Sequence, residues 1–482
     1  MKTVKAFLRG AILAVLVWCA RARLARMRAK GVRIVGVTGS IGKTTCKEAI
    51  AHVLRASRVL SSGKSYNTEF GLPLTILELE SEFSSVAGWM RNIVLAFWRG
   101  VVGADGARRD GVKGADYDFL ILEMGVDKPG DMEQLLEMLD SQSNRKIARV
   151  LDVAVFTGVH PVHMADFQFA SLDAIAEEKG KILAAVKDEK DGGAILVCLD
   201  DARVMAEVKK NIIRDNMIRG IDAEIKSNFD SPKIISYGAD DHAKLRVSEV
   251  EGAWEGVRFA VQYEEVRGEF EVPILGKQHV ASFLPAIGIG LMMGMTMPDI
   301  VARMKTFRLP PGRLSLIEAK NDAYILDSSY NASPDAVKAA IQTMVELSKL
   351  EMKNGWSAKR KIFVFGNMNE LGGRSEREHR EIGRFLAREI WNCDTGDMLI
   401  TVGEAAKTAA EELKKIKNDE EIIVKSFQTA EEAADFLELQ LAAGDLILVK
   451  GSQNNVRLEK LVKRLMKAPE SAPELLVRQE WK

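Results

Sequence analysis

The residues with the plainest chemical consequence are VTGSIGKTT at 37–45. Glycines at 39 and 42 let backbone N–H groups turn inward, and a helix starting just beyond them aims its positive end at the same point, an arrangement that cradles phosphate oxygens. Ser40 and Thr45 belong to the same turn. Lys43 is placed to reach the β and γ phosphates of a nucleotide, and Thr44 to offer its hydroxyl to Mg²⁺. Val37 stands where the general G-x-x-x-x-G-K-[ST] pattern has its first glycine, so this is a short form of that loop. Glu123 closes the apolar run FLILE. Parallel sheets present ligand groups beyond the carboxyl ends of their strands, and a carboxylate there suits a hard cation.

Such groups need rigid elements behind them. Short runs rich in β-branched residues alternate with helical patterns: 33–37, 119–123, 153–157 and 194–199, then 324–327, 362–365, 398–402 and 446–449. This alternation predicts parallel sheets covered on both faces. Residues 243–275 alternate without a helical period and read as an antiparallel ribbon. Leu309-Pro310-Pro311-Gly312 interrupts the pattern and marks a boundary. Ser333-Pro334 then opens a helix, with serine as cap and proline in the first turn. The fold class expected is α/β. It comprises an apolar and basic N-terminal helix (1–31), a central phosphate-loop domain with a mostly parallel sheet (32–309, carrying an apolar insertion at 86–104) and a C-terminal Rossmann-like domain (310–482). The tail from Ala468 reads as polar and frayed.

Ordered segments along about residues 32–466 resemble the Mur ligases and folylpolyglutamate synthases. They are TGSIGKTT, SYNTEFGLPLTIL at 65–77, LEMGVDKPGDM at 122–132, VHPVHMADF at 159–167, EEKGKIL at 177–183, PPGRL at 310–314, ILDSSYNASPDAVKAAI at 325–341, FGNMNELG at 365–372 and LVKGSQNNVRLEKLV at 448–462. Within that group the likeness is greatest to the branch that adds D-alanyl-D-alanine to a muramoyl peptide. The resemblance implies an ATP-dependent, ADP-forming ligase that activates a carboxylate as an acyl phosphate and joins it to the amine of an amino acid or dipeptide.

The same resemblance implies the roles. Lys43, Glu123, His163 and Lys179 form the catalytic set, with Thr44, Glu123, His163 and Lys179 toward two Mg²⁺ ions. Lys179 aligns with a lysine carried as a carbamate, which demands an amine with a depressed pKa; its bland alternative is a solvated helix charge beside Glu177 and Glu178. Gly39, Ser40, Gly42, Lys43, Thr44, Thr45, His279, Arg313, Asp327, Tyr330 and Asn331 would hold ATP. Asn67, Thr68, Glu69, Asn367, Glu370, Arg374, Lys450 and Ser452 would face the two substrates, although Asn67 could equally form an Asx turn. The family's G-x-H-N-x-x-N segment here reads Gly276-Lys277-Gln278-His279-Val280-Ala281-Ser282, so its asparagines are replaced, and the family's N-A-D-D run reads Cys198-Leu199-Asp200-Asp201. His160 stands where the family has glycine and is expected to make a local hydrogen bond.

The ends and the composition set limits. The chain has 482 residues and zero formal net charge, which gives no basic excess for nucleic acid. Cys19, Cys46, Cys198 and Cys393 form no C-x-x-C pair, which argues against a disulfide framework and a structural zinc site and fits a reducing cytoplasm. Only about 31 residues precede the first strand, where the family has a separate domain that grips the uridine nucleotide. GAILAVLVWCA at 10–20 is flanked by Lys2, Lys5 and Arg9 and then by Arg21, Arg23, Arg26, Arg28 and Lys30. It is too short to span a bilayer and ends in no cleavage site, so a helix on the inner membrane face, arginines on headgroups, is expected; a helix buried against the enzyme is the alternative. VAGWMRNIVLAFWRGVVGA at 86–104 has the same character. A lipid-linked substrate would suit both. Two other readings remain: a folate-type ligase on the same core, and a membrane-associated scaffold that binds ATP without turnover.

Overall fold

A computed structural model describes residues 2–63, 66–81, 85–103, 117–140, 149–162, 164, 168–218, 232–389, 396–417, 423–453 and 456–479. His163 lies outside the described residues.

Two sheets organise the chain. The first has nine strands in the order β2-β3-β1-β4-β5-β6-β7-β8-β9. They are β1 (Arg33–Thr38), β2 (Val59–Ser61), β3 (Phe119–Glu123), β4 (Val153–Phe156), β5 (Ala194–Cys198), β6 (Lys233–Gly238), β7 (Leu245–Ala253), β8 (Gly256–Tyr263) and β9 (Val266–Val272). Strands β2 through β6 pair in parallel, and β7, β8 and β9 form the antiparallel ribbon expected at 243–275. Every residue of β3, β4 and β5 is buried, as unbroken Val/Ile/Leu runs require when helices cover both faces. The second sheet has six strands in the order β10-β11-β15-β12-β13-β14. These are β10 (Ser315–Ala319), β11 (Ala323–Ser328), β12 (Arg360–Gly366), β13 (Met398–Val402), β14 (Ile423–Phe427) and β15 (Asp445–Lys450). All its neighbours are parallel except the β10–β11 hairpin.

β1 lies between β3 and β4 at the point where the chain reverses its direction of growth across the sheet. In open α/β sheets the crevice beyond the strand ends at that point receives ligands. Three groups stand there: the loop after β1, Glu123 at the end of β3, and Thr157-Gly158 after β4. Between the two sheets, Trp254 at the β7–β8 turn sets its ring edge-on to Trp356 at 5.7 Å and donates Nε1–H to the Leu350 carbonyl at 3.1 Å. On the site side the bridging contacts are polar: His160 Nδ1 to Asp335 Oδ2 at 2.9 Å, and Met164 N–H to the Glu370 carbonyl at 3.1 Å.

The N-terminal helix α1 (Lys2–Ala29) differs from the membrane-lying expectation. Leu16, Cys19, Ala20, Leu24 and Met27 sit inside the core of the first sheet. Its arginines serve protein carbonyls rather than headgroups: Arg21 that of Glu137, Arg23 that of Ile76, Arg26 those of Arg99 and Gly100, and Arg28 that of Val150. Carbonyls at helix and loop ends otherwise go unpaired, and a guanidinium fork satisfies them. Among the described residues no helix is long and apolar enough to cross a membrane. The insertion at 86–104 forms a helix, Val86–Phe97, continued by a π-helical turn, Trp98–Val102.

The C-terminal tail is a second correction. Residues 469–479 fold back, and Arg478, 6% exposed, pairs with Glu459, 1% exposed, at 2.9 Å while donating to the carbonyls of Ser329 and Tyr330. Ser333 does precede the helix Pro334–Leu347, with proline in its first turn, but its side chain makes no capping bond.

Candidate functional site

The loop after β1 gets its shape from the strand beside it. Ser40 N–H donates to the Gly158 carbonyl at 2.8 Å, and the Thr157 hydroxyl donates to the Ile41 carbonyl at 2.7 Å. Gly39 has φ 145°, and a Cβ there would lie 2.0 Å from Thr157 Oγ1. Gly42, at φ 82°, caps α2 (Lys43–Val53), and a Cβ on it would meet Ser282 Oγ at 2.5 Å. Only glycine takes these left-handed positions without strain and lets the loop close on its neighbours. Lys43 Nζ donates to the carbonyls of Gly39 (2.7 Å) and Ser40 (3.2 Å). Desolvation lowers its pKa, against the opposing pull of Glu123, Asp127 and Glu370. Thr45 is buried at the start of the helix.

Below the loop, Glu123 is 2% exposed. Its Oε1 accepts from the Thr44 hydroxyl at 3.1 Å and from Asn67 Nδ2 at 3.3 Å. Its Oε2 is buried without a hydrogen bond, 4.0 Å from the ammonium of fully buried Lys47. A buried carboxylate oxygen left unpaired is costly, and with the adjacent Thr44 hydroxyl it fits a hard divalent cation. Among the described residues no three His, Cys, Asp or Glu side chains cluster as a complete metal cage. Mg²⁺ seldom needs one, because it takes one or two carboxylates together with phosphates and water. Asn67 is held by its own carbonyl, which accepts Gly125 N–H at 2.8 Å. Thr68 uses its carbonyl to start the short helix Gly71–Ile76, and Glu69 pairs with Arg9 of α1 at 3.0 Å.

Lys179 ends the helix Leu172–Gly180 and is fully buried, so the solvated-charge alternative does not hold. Its Nζ has no hydrogen-bond partner among the described residues. Desolvation, reinforced by the Lys43 charge, pushes its pKa well below the ordinary lysine value. An amine held toward neutrality is a nucleophile.

The second sheet supplies a separate group. The Arg313 guanidinium stacks on the Tyr330 ring at 4.1 Å. Asp327 ends β11 fully buried. Its Oδ1 accepts Ser329 N–H, its Oδ2 has no partner, and burial raises its pKa to about 6. Lys450 ends β15 and donates to Ser328 Oγ and the Asn331 carbonyl, at 3.1 and 3.0 Å; desolvation lowers it to about 8. His279 has a buried, unpartnered Nε2, and burial with the Arg313 and Lys450 charges drives it down to about 3. His279 therefore serves as a neutral ring. Asn331 is exposed, its Oδ1 accepting Ala332 N–H.

Other residues expected to face substrate also make anchoring contacts within the fold. Asn367 Oδ1 accepts Ala406 N–H, capping the helix Glu404–Ile416, while Ser452 Oγ links Ala332 and Asn369. Glu370 has φ 65° and Arg374 reaches Met164 Sδ at 3.0 Å, so both lie on the seam with the first sheet. His160 makes its hydrogen bond across that seam rather than locally.

Residues 110–290 match the family model of the Mur ligase middle domain, and 312–453 that of the Mur ligase glutamate ligase domain. The chain belongs to the Mur ligases. It is 27% identical over 440 residues to the UDP-N-acetylmuramoyl-tripeptide–D-alanyl-D-alanine ligase of Bacillus subtilis, covering 91% of this chain and 77% of that protein. The Mycobacterium leprae protein of the same name is 25% identical, covering 92% and 76%. Among solved structures, MurF of Acinetobacter baumannii superposes with a TM-score of 0.67 at 22% identity, over 93% of this chain and 80% of that one. MurF of Thermotoga maritima in complex with ADP gives 0.66 at 22% identity, over 95% and 84%.

In this Mur ligase the fold brings Thr44 and Asn67 into direct contact with Glu123, with Lys43 near enough to feel the Glu123 charge and Lys179 near enough to sense that of Lys43. Three contributors escaped sequence reading. Lys47 lies one turn beyond Lys43 and donates to the Ser62 carbonyl at 2.5 Å; that spacing was its only signal. Asp335 partners His160, and Arg478 steadies Ser329-Tyr330 from far along the chain, with nothing local to announce either.

Proposed function

We propose that this Mur ligase joins a muramoyl-peptide-like carboxylate to the amine of D-alanyl-D-alanine or a similar dipeptide or amino acid, forming ADP and phosphate through an acyl phosphate. The observation that carries the reading is the meeting of the glycine-shaped loop, Lys43 and the half-satisfied carboxylate of Glu123 at the switch point of the sheet. The loop amides and Lys43 bind the triphosphate and offset the charge that spreads in phosphoryl transfer. Thr44 and Glu123 would hold one Mg²⁺, which when bound supplies charge neutralisation at the phosphates; His163 and Lys179 would serve a second. Lys179 is suited to carry a carbamate, because its buried amine is biased toward the neutral form that CO₂ requires. Arg313, Tyr330 and Asp327 would close on the nucleotide from the second sheet, and Lys450, Glu370 and Arg374 would meet the incoming amine substrate's carboxylate and flanks. We take 1–31, 32–309 and 310–482 as the working units and the cytoplasm as the compartment.

The test is ADP release across paired carboxylates and amines, with Lys43→Ala as control. Release that requires both a muramoyl peptide and a dipeptide supports the reading. Release independent of the amine would mean a simple ATPase, and binding without release a scaffold.

A further inference from the structure

Lys47 is fully buried on α2, on the same helix face as Lys43 and Thr44, and no step of the proposed reaction uses it. An ammonium out of water is costly unless it is paired and hydrogen-bonded. Lys47 Nζ donates to the Ser62 carbonyl at 2.5 Å and to the Ser62 hydroxyl at 3.1 Å, and Glu48 Oε1 lies 3.1 Å away. An ammonium carries three N–H groups, and these three oxygens account for them. Glu123 Oε2, at 4.0 Å, therefore feels the charge without receiving a hydrogen bond.

That division suits the candidate cation site. A lysine one ångström nearer would donate to Oε2 and take up the lone pairs a cation needs. A neutral residue would strip a buried carboxylate of a charge that keeps it ionised. Ser62 sets the distance. It follows β2, an edge strand of three residues paired only with β3, and the chain beyond it leads to Asn67, which donates to Glu123 Oε1 at 3.3 Å. The same ammonium repels any divalent cation that approaches Oε2, and the negative charge of nucleotide phosphates offsets that repulsion.

We propose that Lys47 is a positioning residue for the metal site: its charge holds Glu123 ionised with Oε2 bare, and it disfavours a divalent cation that arrives without nucleotide. The proposal rests on the reading of Glu123 as a magnesium ligand.

The test titrates the full chain with Mn²⁺ alone, in place of Mg²⁺ and without nucleotide, and reads the free ion by electron paramagnetic resonance. Mildly alkaline pH keeps carboxylates ionised. Wild type, Lys47→Gln and Glu123→Gln are compared; the glutamine at 47 can still donate to the Ser62 carbonyl. Lys47→Gln is expected to bind Mn²⁺ at least about tenfold more tightly than wild type, and saturating Mn²⁺ should raise its melting temperature by more. Loosened packing weakens a metal site, so the direction of the change separates charge from a merely structural role. Unchanged or weaker Mn²⁺ binding by Lys47→Gln, with binding lost in Glu123→Gln, would overturn the proposal and leave the metal reading standing. Full binding by Glu123→Gln would overturn both. Where Lys47→Gln does not fold, Lys47→Met/Glu123→Gln removes both charges and should melt within about 4 °C of wild type; its failure to fold would mean that Lys47 serves the packing at Ser62 and not Glu123.

Discussion

Glu123→Gln should separate stability from activity. Glu123 Oε2 lies 4.0 Å from the Lys47 ammonium. At an effective dielectric near 20, that pair is worth about 4 kcal/mol of attraction. Keeping a carboxylate buried costs several kcal/mol in lost hydration, and Oε2 recovers none of it through a hydrogen bond. The two nearly cancel. Glutamine keeps the shape, and its carbonyl can still accept from Thr44 and Asn67. Lys47 retains the Ser62 carbonyl and Glu48 at 3.1 Å. The expected change in folding stability is within about 1 kcal/mol, a melting shift of no more than about 4 °C. Turnover, by contrast, should fall at least about 100-fold, some 2.7 kcal/mol of barrier, and nucleotide affinity should lose its dependence on Mg²⁺. Thermal unfolding, nucleotide titration in Mg²⁺ and in EDTA, and ADP release measure the three quantities. A melting drop beyond about 10 °C with turnover otherwise intact would refute the reasoning, because Glu123 would then be a structural counter-ion for Lys47.

The remaining expectations concern other parts of the site. Incubation with ¹³C-bicarbonate near neutral pH should give a carbamate resonance that Lys179→Met abolishes, since burial biases this amine toward the neutral form that CO₂ requires; a spectrum unchanged by the substitution would count against Lys179. Asp327 has its pKa raised to about 6, so the folded state holds its proton more tightly than the unfolded one. Its contribution to stability is full below about pH 4 and is lost as pH rises through about 6. Asp327→Asn should therefore gain on the wild type across that window, by about 3 kcal/mol in all, read from melting temperature against pH. Arg478→Ala leaves buried Glu459 with its Arg457 contact at 3.3 Å and, through the lost charged hydrogen bonds, should cost about 2 kcal/mol, with a loss of nucleotide affinity from the loosened Ser329-Tyr330 carbonyls; an unchanged denaturation midpoint would contradict the assigned pairing.

What the sequence disclosed follows from how local each signal is. The phosphate loop was legible because two glycines, a lysine and a threonine must be neighbours in the chain to be neighbours in space. The central strands were legible because burial on both faces demands unbroken apolar runs. β14 escaped because IVKSF, at the edge of its sheet, exposes most of its residues and carries a lysine. β10 escaped because it alternates on an open face. The arginines of α1 looked like a membrane-facing cluster because nothing in their spacing shows that carbonyls from residues 76 to 150 come to meet them. Asn367 carried the right type for a ligand, and its further use as a helix cap was invisible because it depends on the backbone of residue 406.

The seam between the two sheets is unequal at its two margins. On the ribbon side a pair of tryptophans interlocks; over the candidate nucleotide crevice the described residues contribute the His160–Asp335 hydrogen bond between half-exposed partners, a backbone bond and the Arg374–Met164 contact. Contacts of the second kind are worth on the order of 1 kcal/mol each. The molecule thus resembles a door with its pin at Trp254 and a light catch at His160. Thermal energy is expected to lift the catch before it disturbs the pin.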